Sequence, residues 1–117
     1  MTIHTVTHGL FKLDGGAMFG VVPKPLWTKN HPTDERNRCD WALRSLLIEE
    51  GKRLMLVDCG MGDKQGEKFF GHYAPRPEDL DAQFHVLGFH RDDITDVFLT
   101  HLHFDHCGGA IRRRQDD

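Results

Sequence analysis

Thr100-His101-Leu102-His103-Phe104-Asp105-His106-Cys107-Gly108-Gly109 is the stretch on which the reading of this chain turns. Three of the nine histidines fall inside six residues here, with one aspartate among them. In an extended His-x-His the side chains at i and i+2 leave the same face, so His101 and His103 can converge on one metal ion. Asp105 and His106 follow after a further turn and are expected to point elsewhere, offering a carboxylate and an imidazole to a second ion nearby. Mixed nitrogen and oxygen donors suit borderline metals such as zinc, and the same ligand types also suit iron or manganese. The competing readings are a polar loop and a closed structural zinc site, and the latter would more often recruit Cys107 and a second cysteine. Cys107 and Cys59 read instead as small packing residues.

Working outward, residues 96–100 form a short apolar strand that runs straight into the histidines. Two earlier apolar runs, residues 41–48 and 54–57, are joined by Glu49-Glu50-Gly51-Lys52-Arg53, a hairpin signal. The second run ends in Asp58-Cys59-Gly60-Met61-Gly62, which places Asp58 at the carboxyl end of a strand, where a turn aspartate is the plain alternative. Residues 3–13 read as a β-rich run closed by Asp14-Gly15-Gly16, and a second short strand is expected over 18–22. Three prolines between 23 and 40 predict a long loop, and loops of that length are usually functional or mobile. Residues 64–73 are weakly helical. A better helix is expected from Pro77, with Glu78, Asp79 and Asp81 at its positive end, Leu80, Phe84 and Leu87 on one face, and Gly88 closing it.

The apolar set is 38% of 117 residues, and with 12 glycines the chain falls in the ordinary globular range rather than among disordered or collagenous sequences. A formal charge of −3 supplies no field for nucleic acid or anionic lipid. The longest apolar runs are far short of the ~20 residues that a membrane helix needs. Without a basic start followed by an apolar stretch, no signal peptide is expected. Three widely spaced cysteines, Cys39, Cys59 and Cys107, make a poor disulfide framework and suit a reducing compartment, so a cytoplasmic location is the expectation.

The ordered set His101, His103, Asp105 and His106, followed by Gly108-Gly109, resembles the His-x-His-x-Asp-His hallmark of the metallo-β-lactamase-fold hydrolases. Asp58 within Leu-Val-Asp-Cys-Gly resembles the aspartate that braces the metal-binding loop in that family, and residues 94–101 resemble its approach strand. The segment from 14 to 48 looks most like the branch of quorum-quenching lactonases and organophosphate hydrolases. The resemblance implies an α/β fold, the N-terminal half of a four-layer αβ/βα sandwich with a mixed, mostly antiparallel sheet. Residues 1–117 are thus expected to be a single partial domain of a longer, truncated protein. In that family the remaining ligands, a third histidine, a bridging aspartate and a final histidine, come later in sequence, and a helix should be starting near Arg112-Arg113-Arg114.

What the resemblance implies about chemistry is a dinuclear zinc hydrolase acting on a small ester, lactone or related substrate. Metal-activated hydroxide would attack the electrophilic centre, with iron or manganese as other candidates for the ions. His101, His103, Asp105 and His106 would be metal ligands, Asp105 would also be catalytic through nucleophile orientation and proton transfer, and Asp58 would hold the loop from behind. The alternative is a non-catalytic fragment serving as a weak metal-binding or interaction module. Half a sandwich would leave one sheet face uncovered, so aggregation or a homodimer is expected of the isolated half. A small-molecule substrate is the expected partner, with no nucleic acid and no membrane. His4, His8, His31, His72, His85 and His90 show no mutual ligand spacing and read as surface or satisfied core residues. Phe19, Trp27, Trp41, Phe69 and Phe70 read as packing rather than substrate wall.

Overall fold

In a computed structural model, which describes residues 1–114, one five-stranded sheet has the order β4-β1-β2-β3-β5. The strands are β1 (Thr2–Asp14), β2 (Arg38–Glu50), β3 (Arg53–Val57), β4 (Arg76–Pro77) and β5 (Asp96–Phe98). β1 and β2 pair antiparallel along their whole length, β2 and β3 form the expected hairpin, and β3 lies parallel to β5. The parallel step needs a crossover. The chain makes it through α3 (Glu67–Tyr73) and α4 (Leu80–Val86), leaving the strand ends that hold Asp58 and Thr100 side by side.

On β2 the buried residues Cys39, Leu43, Ser45 and Leu47 alternate, as a strand with one covered face must. On β1 the buried apolar side chains are Val6 and Phe11, five apart, which a regular strand would send to opposite faces. A register shift between Thr7 and Gly9 resolves this: the bulge adds one residue, so Val6 sits opposite Ser45 and Phe11 opposite Trp41 on the same side. Gly9 is required at this spot, because its φ of 110° is open to glycine and a Cβ would run into the Arg76 carbonyl of β4. Beyond the reach of β4, the Gln83 side chain covers the free edge of β1, accepting from the Thr7 amide at 2.7 Å and donating to the Thr7 carbonyl at 2.6 Å.

Two apolar clusters lie under the covered face. Val6, Leu47, Leu54, Leu56 and Cys59 pack on Phe84 of α4. Phe11, Leu43 and Met61 pack on Phe69, Phe70 and Tyr73 of α3, and on Phe104, which sits between His103 and Asp105 in sequence. The second cluster therefore anchors the histidine-rich loop directly in the core.

Three expectations are corrected. Residues 18–22 form no strand: α1 (Gly15–Phe19) occupies the place, capped by the Asp14 carboxylate accepting from the Ala17 amide at 2.8 Å, so local capping outweighs the apolar run. The segment after it contains α2 (Lys24–Trp27) rather than loop alone, with Trp27 buried and stacked on Phe19 at 4.7 Å between ring centres. Pro77 does not open α4. It pairs with Gly9 in β4, and the helix starts three residues later under an Asp79 cap. Gly88 follows that helix with φ of 85°, in the closing role expected of it. Residues 112–114 are irregular rather than helical, and the continuation of the expected helix lies outside the described residues.

Candidate metal centre

Asp58 ends β3 in the left-handed region, with φ of 61°, a conformation that an aspartate adopts at some cost and that the surroundings must hold. They hold it from both sides. The Asp58 amide donates to the Phe98 carbonyl at 2.8 Å, and the Ser45 hydroxyl donates to the Asp58 carbonyl at 2.8 Å. Behind Ser45, the His8 Nε2 lies 2.6 Å from the same hydroxyl. Burial pushes the His8 imidazole below its usual pKa, which favours the neutral ring that this packed position requires.

So placed, the Asp58 carboxylate becomes the hub of the loop beyond β5. It accepts from the Thr100 amide at 2.8 Å, from the Thr100 hydroxyl at 2.8 Å and from His106 Nδ1 at 2.8 Å. Burial alone would raise its pKa, but the hydrogen bonds from His106 and Thr100 outweigh that and keep the carboxyl below the usual carboxylate range. The Cys59 amide donates to the His106 carbonyl at 2.7 Å, and the Gly109 amide to the Gly60 carbonyl at 3.0 Å. Gly108 and Gly109 permit this approach: a Cβ on the first would strike the Met61 carbonyl, and on the second the Cys59 carbonyl. The two glycines are thus the contact surface between the 58–62 turn and the histidine loop.

Past Thr100 the chain is irregular, is extended at His103 and then turns into the short helix α5 (Phe104–Cys107). The His101 ring lies 4.6 Å from that of His103 and 4.1 Å from that of His106. α5 thus brings the His106 ring beside that of His101, while its Nδ1 turns to Asp58. Asp105 Oδ2 stands 3.3 Å from His106 Nε2. Two ligands of one tetrahedral ion with bonds of ~2.05 Å are separated by about this distance. Among the described residues, no three His, Cys, Asp or Glu side chains are gathered into a set that could hold an ion. In kind the donors nevertheless suit a divalent metal: three neighbouring imidazoles and a carboxylate, with His106 already oriented by a carboxylate on its far nitrogen, the arrangement that metal-binding histidines use.

The sequence signals did not single out Thr100, Ser45 or His8. Thr100 immediately precedes the first histidine, and Ser45 is the one polar residue at an inward position between Leu43 and Leu47, which is the clue an alternating strand offers. The six scattered histidines stay apart from the cluster. His4 reaches Glu49 at 2.7 Å, His90 caps a 3₁₀ turn, and His31 stacks on Trp41. Cys39, Cys59 and Cys107 are free thiols, the first two buried and the third half-buried. No helix among the described residues is long and apolar enough to cross a membrane.

Comparison with known proteins agrees with this geometry. The family model of the metallo-beta-lactamase superfamily matches residues 44–112, and the chain belongs to that superfamily. Probable metallo-hydrolases of Mycobacterium bovis and Mycobacterium tuberculosis are each 36% identical over 73 residues, covering 55% of this chain and 24% of their own length. A probable metal-dependent hydrolase from Staphylococcus aureus, solved by crystallography, is 37% identical with a TM-score of 0.84, over 92% of this chain and 40% of its own. A dizinc quorum-quenching lactonase is 26% identical with a TM-score of 0.59, over 93% of this chain and 35% of its own. The chain thus spans about a quarter of the curated relatives and two fifths of the staphylococcal structure.

Proposed function

We propose that this chain contributes the first part of a metal-dependent hydrolase centre acting on a small ester, lactone or related substrate. The observation that supports it most is the Asp58 hub, which ties the end of β3 to Thr100 and His106 and so holds a cluster of three imidazoles and Asp105 at the sheet's edge. His101, His103, Asp105 and His106 would hold divalent metal, zinc first, in the dinuclear arrangement that the lactonase likeness suggests. Such ions, when bound, lower the pKa of water and polarise the attacked oxygen. The chain's own residues do the rest. Asp58 fixes the loop, the His106 Nδ1 proton stays on the hydrogen bond to Asp58, and the Asp105 carboxylate would accept the proton released by the attacking water and pass it to the departing leaving group.

The hydrolase reading is tested in the longest form of the protein that contains these residues. Replacing His101 and His103 together by alanine should lower lactone or ester hydrolysis by at least two orders of magnitude, and full activity in that variant would refute the assignment. A second reading, a non-catalytic module that binds metal weakly, draws its support from the lack of a gathered three-ligand set among the described residues. It predicts zinc that is easily removed by chelator and no turnover in any form of the protein.

A further inference from the structure

The geometry points to Thr100 as a positioning residue that decides which nitrogen of His101 is left bare. Its hydroxyl oxygen lies 2.8 Å from Asp58 Oδ2 and 3.0 Å from Asp58 Oδ1, and 3.0 Å from His101 Nδ1. An ionised carboxylate has only lone pairs to offer, so the single hydroxyl proton goes to Asp58. The hydroxyl then has only lone pairs left for its other neighbour, and His101 Nδ1 must bring the proton to that contact. A neutral His101 is thereby fixed as the Nδ1–H tautomer, with an unprotonated Nε2. Asp58 imposes the same tautomer on His106 directly, through the 2.8 Å contact to Nδ1. One carboxylate thus sets two imidazoles, His106 by contact and His101 through a threonine relay.

The relay distinguishes His101 from His103, whose ring has no hydrogen-bonding neighbour among the described contacts other than its ring contact with His101. A valine at position 100 would have nearly the same volume and keep the amide that donates to Asp58 Oδ1, yet lose the relay. Serine would keep both.

The meaning of this relay for catalysis rests on the hydrolase reading, but its physical content does not, and the two can fail separately. Long-range proton–nitrogen correlation spectra of the metal-free chain, labelled with ¹⁵N-histidine, report the tautomer of each ring. They are to be recorded at about pH 8, above the ordinary imidazole pKa of ~6.5. The wild-type chain should show His101 and His106 as Nδ1–H forms. Thr100→Val should shift His101 to mainly the Nε2–H form preferred by a free imidazole while His106 keeps its signature, and Thr100→Ser should restore the wild-type pattern. A wild-type His101 in the Nε2–H form, or an unchanged His101 in a folded Thr100→Val, would overturn the proposal. The wild-type spectrum alone decides it if the valine variant does not fold. A wild-type protein that hydrolyses no ester or lactone in any form, yet shows the Nδ1–H form of His101 and its loss in Thr100→Val, would count against the hydrolase reading and leave the relay standing.

Discussion

The two faces of the sheet are built alike and end up in different surroundings. The inward face, with Val6, Phe11, Leu43, Leu47, Leu54 and Leu56, is covered by α3 and α4 and is almost fully buried. The outward face has its own apolar patch, because the register pairs Ile3 with Ile48, Ile48 with Met55, Leu46 with Val57 and Val57 with Phe98. Yet Ile3 is 53% exposed, Leu46 39% and Phe98 55%. A sheet meant to meet water on one face alternates apolar with polar residues, whereas apolar residues on both faces suit a sheet covered on both. The first face explains why the chain folds, and the second carries the composition of a covered face while standing largely open.

The largest expected effect lies on the covered face. Leu47→Ala, at a fully buried position, should destabilise the fold by about 2–5 kcal/mol in a denaturant titration, whereas Leu46→Ala next to it should cost well under half as much. Equal losses at the two positions would erase the distinction between the faces. Gly109→Ala should cost roughly 1–3 kcal/mol by forcing the histidine loop away from the Cys59 carbonyl, and zinc affinity should fall with it. On the uncovered face, Leu46→Lys with Phe98→Lys should leave the denaturation midpoint nearly unchanged but reduce self-association in sedimentation velocity. A double variant that associates as strongly as the wild type would show that the patch is not what drives association.

The smallest effect belongs to the rim between β3 and β5. The Arg53 guanidinium, with help from the Thr95 hydroxyl, holds the Asp96 carboxyl down to about 2. A depressed carboxylate contributes stability above its unfolded pKa of ~3.9 and loses that contribution as pH falls towards 2. Arg53→Ala should therefore lower stability slightly at neutral pH, where the interaction is fully present, and flatten the acid limb of a stability–pH curve between about pH 4 and 2, so that variant and wild type converge near pH 2.

How much of this was legible in the sequence depended on whether a signal was local. The hairpin across Gly51, the placement of Asp58 at a strand end and the strand running into the histidines all follow from short-range pattern, and the structure has them. The α1 helix was missed because Met18, Val21 and Val22 look like strand residues when the Asp14 cap is not weighed against them. The β1 bulge was invisible because it serves a partner strand about 35 residues away. In the candidate site, the four motif residues stood out by type and spacing, whereas Asp58, which pattern alone leaves open to a plain turn role, stood out through the family resemblance. The return of His106 beside His101 and the hub of hydrogen bonds on Asp58 did not, since both depend on how the 58–62 turn meets the Gly108-Gly109 pair.

The most direct test of the proposed centre is zinc binding by the purified chain, measured by equilibrium dialysis against a variant with His101, His103 and His106 all replaced by alanine. Wild-type chain should retain zinc that the triple variant loses, with at least a tenfold difference in affinity. Equal zinc retention by the two proteins, with both folded, would contradict the assignment of a metal centre to these residues.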